Sequence, residues 1–129
     1  MRVAIDTNRL SDLFRGDADL AAWLGMCEEV LVPLPVLAEI KAGFHSGTRR
    51  PDNEAVLQRF LAKSNVGLLM PTRETAEQYA RIFAQLKAAG TPIPTNDLWI
   101  AALSLENDLV IVTRDPHFRK IPQLLQAEA

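Results

Sequence analysis

The sequence predicts a layered α/β fold in which a parallel sheet is covered by helices. Three observations carry this reading. Four short apolar runs, residues 3–5, 30–32, 66–70 and 109–112, are rich in Val, Leu and Ile and are bounded by Pro, Asp, Asn or Thr, as suits strands buried on both faces. The stretches between them repeat apolar residues at helical spacing. Alternation of the two patterns implies βαβ connections and layered packing. The 129 residues, 48% hydrophobic and 23% charged, fit one domain over residues 1–129, able to bury ~70% of the surface of its unfolded chain.

The first strand, VAI, stops at Asp6, and the following TNRLSDLF reads as a helix for which Asp6 is a candidate N-cap. After the second run, Pro35 marks the start of a helix, PLPVLAEIKAGF, that carries Glu39. Its apolar stripe is Leu37, Ile40 and Phe44, and Glu39 lies well away from that stripe. Residues 43–53, GFHSGTRRPDN, read as a loop exposing Arg49 and Arg50. Leu57, Phe60 and Leu61 mark the next helix. Beyond the third run, Ala76, Tyr79, Ala80 and Phe83 recur at i, i+3, i+4 and i+7. In PTNDLWIAALSLEND, Asp97 falls in a first helical turn with Thr95 or Asn96 as cap. Two residues separate the last run from Asp115, which precedes Pro116 in a turn.

Composition narrows the function. Cys27 is the only cysteine, so neither an intrachain disulfide nor a cysteine-based zinc site can form, which fits a reducing cytoplasm. Asp6 interrupts the N-terminal region where a signal peptide needs ~7 to 15 apolar residues, and no run approaches the ~20 of a membrane span. A cytoplasmic location is expected. The net charge of −2, from 16 acids and 14 bases, argues against general coating of nucleic acid, although acids that share a divalent ion leave the remaining surface less acidic than the sum.

Four acids stand out. Each has a bland explanation: Asp6 as a cap, Asp97 as a partner of a helix dipole, Asp115 as a turn residue, Glu39 as a solvated charge. Their joint placement says more. Ligands of parallel sheets sit outside the carboxyl ends of the strands, where Asp6 and Asp115 share one rim and the helices of Glu39 and Asp97 can border it. Converging carboxylates raise one another's pKa unless a cation compensates, and Mg2+ or Mn2+ prefers such oxygen ligands. Arg9, Lys41, Arg49, Arg50 and Arg114 are candidate phosphate contacts or else solvated charges. His45 and His117 offer a metal-free acid/base alternative. Trp99 either packs near the core or stacks on a base.

The motifs AIDTN, AEI, NDLWIAA and LVIVTRDPHF, in this order and spacing over nearly the whole chain, closely resemble the PIN domain, specifically the VapC-like ribonuclease toxins of bacterial toxin–antitoxin pairs. The resemblance implies a three-layer α/β fold with a mainly parallel central sheet of about five strands flanked by helices, and an Mg2+- or Mn2+-dependent endoribonuclease whose metal-site acids fall on Asp6, Glu39, Asp97 and Asp115, with Asn8 and Thr113 as polar residues that order the site. It also implies homodimerisation and restraint by a cognate VapB-like antitoxin, for which the apolar faces of LSDLF and of the helices around residues 36–62 offer docking surfaces. One departure is local: Leu34 and Pro35 stand where many relatives have Ser or Thr ahead of the glutamate helix. Rival readings are a non-catalytic RNA-binding scaffold of the same fold, and a phosphatase or phosphoacceptor domain using Asp6 as nucleophile.

Overall fold

The central strand is β1 (Arg2–Ile5), and its last three residues, Val3, Ala4 and Ile5, are completely buried. A computed structural model describes residues 1–129 and places β1 in a five-stranded sheet of order β3-β2-β1-β4-β5, formed with β2 (Glu29–Pro33), β3 (Val66–Leu69), β4 (Val110–Val112) and β5 (Gln126–Ala127). Every neighbouring pair is parallel. Side chains alternate across β1 as a pleated strand requires. Val3 and Ile5 join the main core with Leu10, Val36 and Ile100, while Ala4 meets Leu69, Leu103 and Leu109 in a separate cluster.

Six helices connect and cover the sheet: α1 (Thr7–Phe14), α2 (Ala18–Gly25), α3 (Leu34–Ser46), α4 (Arg50–Leu61), α5 (Arg73–Ala89) and α6 (Thr95–Glu106). The four apolar runs are four of the strands, with β3 ending one residue early and β4 starting one residue late. The fifth strand is only two residues long, and its extension comes from pairing with Ile111 and Val112.

Two local expectations are corrected. Residues 43–53 are not one loop: α3 continues to Ser46, α4 begins at Arg50, and only residues 47–49 lie between. Gly43 sits on an exposed helical face with nothing near its missing Cβ, so it does not break α3. Pro51 lies in the first turn of α4, where its absent N–H costs nothing. Arg50 therefore belongs to a helix. The cap of α6 is Pro94, not Thr95 or Asn96, and no side chain caps that end. The departure at Leu34 and Pro35 also has a structural counterpart. β2 runs straight into α3 with Pro33 as N-cap and no side-chain cap, and backbone pre-set by Pro33 and Pro35 starts the helix instead.

Arg9 ties the N-terminal helices together. Its side chain is 2% exposed and its guanidinium meets Asp12 at 2.7 Å, Asp17 at 3.5 Å and the carbonyl of Ala129. Asp17 also caps α2, accepting the Leu20 N–H at 3.0 Å, and that hydrogen bond, together with Arg9, holds its carboxyl below the ordinary value. At the far end of α5, Gly90 adopts φ 71°, a left-handed backbone that lets its N–H close the last turn.

Candidate metal centre

β1 pairs with β2 on one side and with β4 on the other, so the connections leave the sheet centre in opposite directions. Parallel sheets open a crevice at such a point, and the acids meet there. The Asp6 backbone N–H donates to the Val112 carbonyl at 3.3 Å, just past the last paired residues. Its carboxylate then acts twice. Oδ1 accepts the Arg9 N–H at 2.9 Å as the N-cap of α1, and Oδ2 accepts the Thr113 hydroxyl. Thr113 is 1% exposed, and its Oγ1 accepts the Asp115 N–H at 2.9 Å. Asp115 in turn caps a 3-10 turn (Pro116–Lys120) by accepting the His117 N–H at 2.9 Å. Thr113 thus fixes Asp6 and Asp115 relative to each other.

The helices supply the remaining acids. Asp97 is the third residue of α6, where a helix N-terminus favours negative charge, and its Oδ2 lies 2.8 Å from His117 Nδ1. Glu39, half-buried on α3, accepts the Thr7 hydroxyl through Oε1 at 3.1 Å. Asp6, Glu39, Asp97 and Asp115 line one cleft of about 460 Å3, together with Asn8 and His117 among other polar residues and with no Lys or Arg.

Concentrated negative charge is the dominant property of this cleft. Burial raises the carboxyl pKa of Asp6 above its ordinary value; hydrogen bonds from Thr113 and Arg9 offset part of the rise, and Asp115 and Asp97 add to it. Burial also raises Asp97, with His117 opposing and with Asp115 and Glu39 reinforcing. Ligand atoms of Asp97, Asp115 and His117 all lie within 4.8 Å of one another. An oxygen-rich donor set with no Lys or Arg in its lining fits a hard divalent cation.

The predicted cations are elsewhere. Arg9 is buried in its own ion-pair network and cannot reach a phosphate, so its candidacy as a nucleic-acid contact is withdrawn. Lys41 pairs with Glu54 at 3.0 Å, and Arg49 is exposed beside Asp52 at 3.6 Å. Arg50 and Arg114 are exposed, and neither lines the cleft. Trp99 stacks at a tilt on Tyr79, centroids 4.6 Å apart. Of the two histidines, His45 lies on the exposed last turn of α3 and only His117 lines the cleft. His117 is the residue that sequence reasoning undervalued. Its signal was its place two residues after Asp115, on the same turn.

A second, apolar groove of about 360 Å3 lies between α1, α2, α4 and β3. Leu13, Phe14, Leu24 and Phe60 are among its lining residues, as are the cationic Arg59 and Lys63. It combines LSDLF with the 36–62 region, the two segments whose apolar faces the sequence marked.

Residues 3–124 match the PIN domain family. The chain belongs to that family. This PIN domain is 28% identical over 121 residues to the VapC ribonuclease Y4jK of Sinorhizobium fredii (strain NBRC 101917 / NGR234), covering 88% of this chain and 86% of that relative. It is 27% identical over 121 residues to the plasmid stability protein StbB of Pseudomonas syringae pv. tomato, covering 88% and 87%. Its fold is that of VapBC2 from Rickettsia felis, solved with a promoter DNA fragment (TM-score 0.90, 23% identity, 98% of each chain). It is also that of VapBC-1 from nontypeable Haemophilus influenzae (TM-score 0.87, 23% identity, 98% and 97%). No helix of this PIN domain is long and apolar enough to cross a membrane.

Proposed function

We propose that this PIN domain is a divalent-metal-dependent endoribonuclease, the cytoplasmic toxin of a toxin–antitoxin pair. The observation that carries the reading is the gathering of Asp6, Glu39, Asp97 and Asp115, from four separate parts of the chain, around a cleft that no Lys or Arg lines. Similarity to a VapC ribonuclease and to chains of VapBC structures supports the choice of RNA and of a protein antitoxin.

Asp6, Asp97 and Asp115 would hold Mg2+ or Mn2+. When bound, such an ion supplies positive charge beside a scissile phosphate and lowers the pKa of water. The chain's own residues do the rest. Thr113 keeps Asp6 and Asp115 in register through its hydroxyl, donating to one carboxylate and accepting the N–H of the other residue. Thr7 donates to Glu39 Oε1, which leaves Oε2 as the acceptor for a proton from the attacking water. Asn8, exposed at the rim, offers amide hydrogen bonds to the backbone of the substrate. A phosphoacceptor mechanism through Asp6 lacks its phosphate-binding lysine, since no lysine lines the cleft.

The apolar groove beside α1 and α4 suits a segment of the antitoxin with apolar anchors and acidic flanks that meet Arg59 and Lys63. Homodimerisation is the expectation that accompanies this family assignment. Incubating the purified chain with RNA tests the activity. Cleavage is expected with Mg2+ or Mn2+, with loss on chelation and in Asp6→Asn; cleavage that survives chelation would overturn the reading.

A further inference from the structure

The mechanism above leaves His117 without a task, yet its ring is placed as carefully as the acids. Nδ1 lies 2.8 Å from Asp97 Oδ2 and 3.1 Å from Asp115 Oδ1, bringing together one donor from α6 and two from the turn after β4. The His117 backbone N–H donates to Asp115 Oδ1, Pro116 precedes it, and the completely buried Phe118 follows and anchors the turn. An octahedral ion with ligands at about 2.1 Å sets adjacent donor atoms about 3 Å apart. The two nitrogen–oxygen separations at His117 are hydrogen-bond lengths in the chain alone, and they also match the spacing of neighbouring donor atoms around one such ion.

We propose that His117 Nδ1 is a direct ligand of the ion in this cleft, which makes the centre a mixed carboxylate–imidazole site that favours Mn2+ over Mg2+. The inference rests on the metal-dependent reading and goes beyond it in naming a nitrogen ligand and the ion it selects. Magnesium gains little from imidazole, whereas Mn2+, which shares its taste for oxygen and stands lowest of the first-row divalent ions in affinity, still accepts a nitrogen ligand. Ligation would take the place of the Nδ1 hydrogen bond to Asp97, leaving Nδ1 without a proton and the ring's one proton on Nε2.

Pulsed electron paramagnetic resonance on the whole chain, with Mn2+ alone as probe, reads the bond directly. The expected spectrum shows nitrogen modulation from a ligated imidazole, absent in His117→Ala and in the bulkier His117→Gln. Parallel titrations should show Mn2+ affinity falling about tenfold in both variants, within the range found for removing groups that support a metal site, with Mg2+ affinity little changed. Bound Mn2+ with oxygen ligands only, or equal weakening for both ions, would overturn the proposal and leave the nuclease reading standing. Failure of the wild-type chain to bind Mn2+ at all would overturn both. The side chain is 38% exposed, so melting of both variants should stay near wild type, and the wild-type spectrum decides by itself.

Discussion

Asp6 shows how one carboxylate serves fold and chemistry together. It caps α1 and accepts the Thr113 hydroxyl while sitting 3% exposed beside two other acids. In Asp6→Asn the amide oxygen keeps the cap, but the charge is lost, so RNA cleavage should fall about a hundredfold or more in a gel assay. The same change carries a pH signature. Burial raises the Asp6 carboxyl above its ordinary value of 3.8 in the metal-free protein, so the native state holds more protons than the unfolded chain between the ordinary and the raised value. Stability from this group is then present in full below the ordinary value and is lost as pH rises through the raised one. Metal-free Asp6→Asn should therefore melt higher than wild type at neutral pH, with the gap closing as pH falls to the ordinary carboxylate range. Asp6, Asp97 and Asp115 were legible because a strand end, a helix start and a turn after a strand fall in predictable places, whereas Glu39, in the middle of α3, stood out only through the resemblance to the family. Arg9 was not, because charge alone does not tell inside from outside. Its partners Asp12 and Asp17 are three and eight residues on, and only the turn between α1 and α2 brings the second within reach.

At the scale of elements, the clamp centred on Arg9 joins α1, the cap of α2 and the chain beyond β5. Arg9→Ala removes a buried side chain, leaves Asp17 without its guanidinium partner and leaves Asp12 only the exposed Arg15 at 3.6 Å. Because both acids are partly exposed, the cost should be about 2–4 kcal/mol by denaturant unfolding, below that of a fully buried pair. Gly90→Ala, at φ 71°, should cost about 1 kcal/mol by the same measurement, since an L side chain is strained there. The periodic helices and apolar strands were readable from spacing. Residues 43–53 misled because glycine and proline count as breakers in sequence, while a structure accepts Gly43 on an exposed helical face and Pro51 in a first turn. The brief β5 carries no pattern of its own; pairing with β4 alone makes it a strand.

At the scale of the molecule, the parallel order β3-β2-β1-β4-β5 is what brings distant acids to one rim. That convergence follows from βαβ connections, which the alternation of runs and helices already implied. The particular neighbours of each acid did not follow, because they depend on side-chain directions set by packing. The concentration of charge has a global consequence. An ion that binds only the native state adds stability by mass action, about 2.7 kcal/mol at a hundred times its dissociation constant, which for a chain of this size is a rise in melting temperature on the order of 10 °C. Asp6→Asn should abolish most of that rise in a thermal scan with Mn2+.

Anomalous X-ray scattering from crystals grown with millimolar Mn2+ tests the shared ion most directly. The account requires a manganese peak in the cleft, within about 2.2 Å of carboxylate oxygens from Asp6, Asp97 or Asp115. A peak elsewhere, with these carboxylates ordered as they are in the metal-free protein, would contradict it.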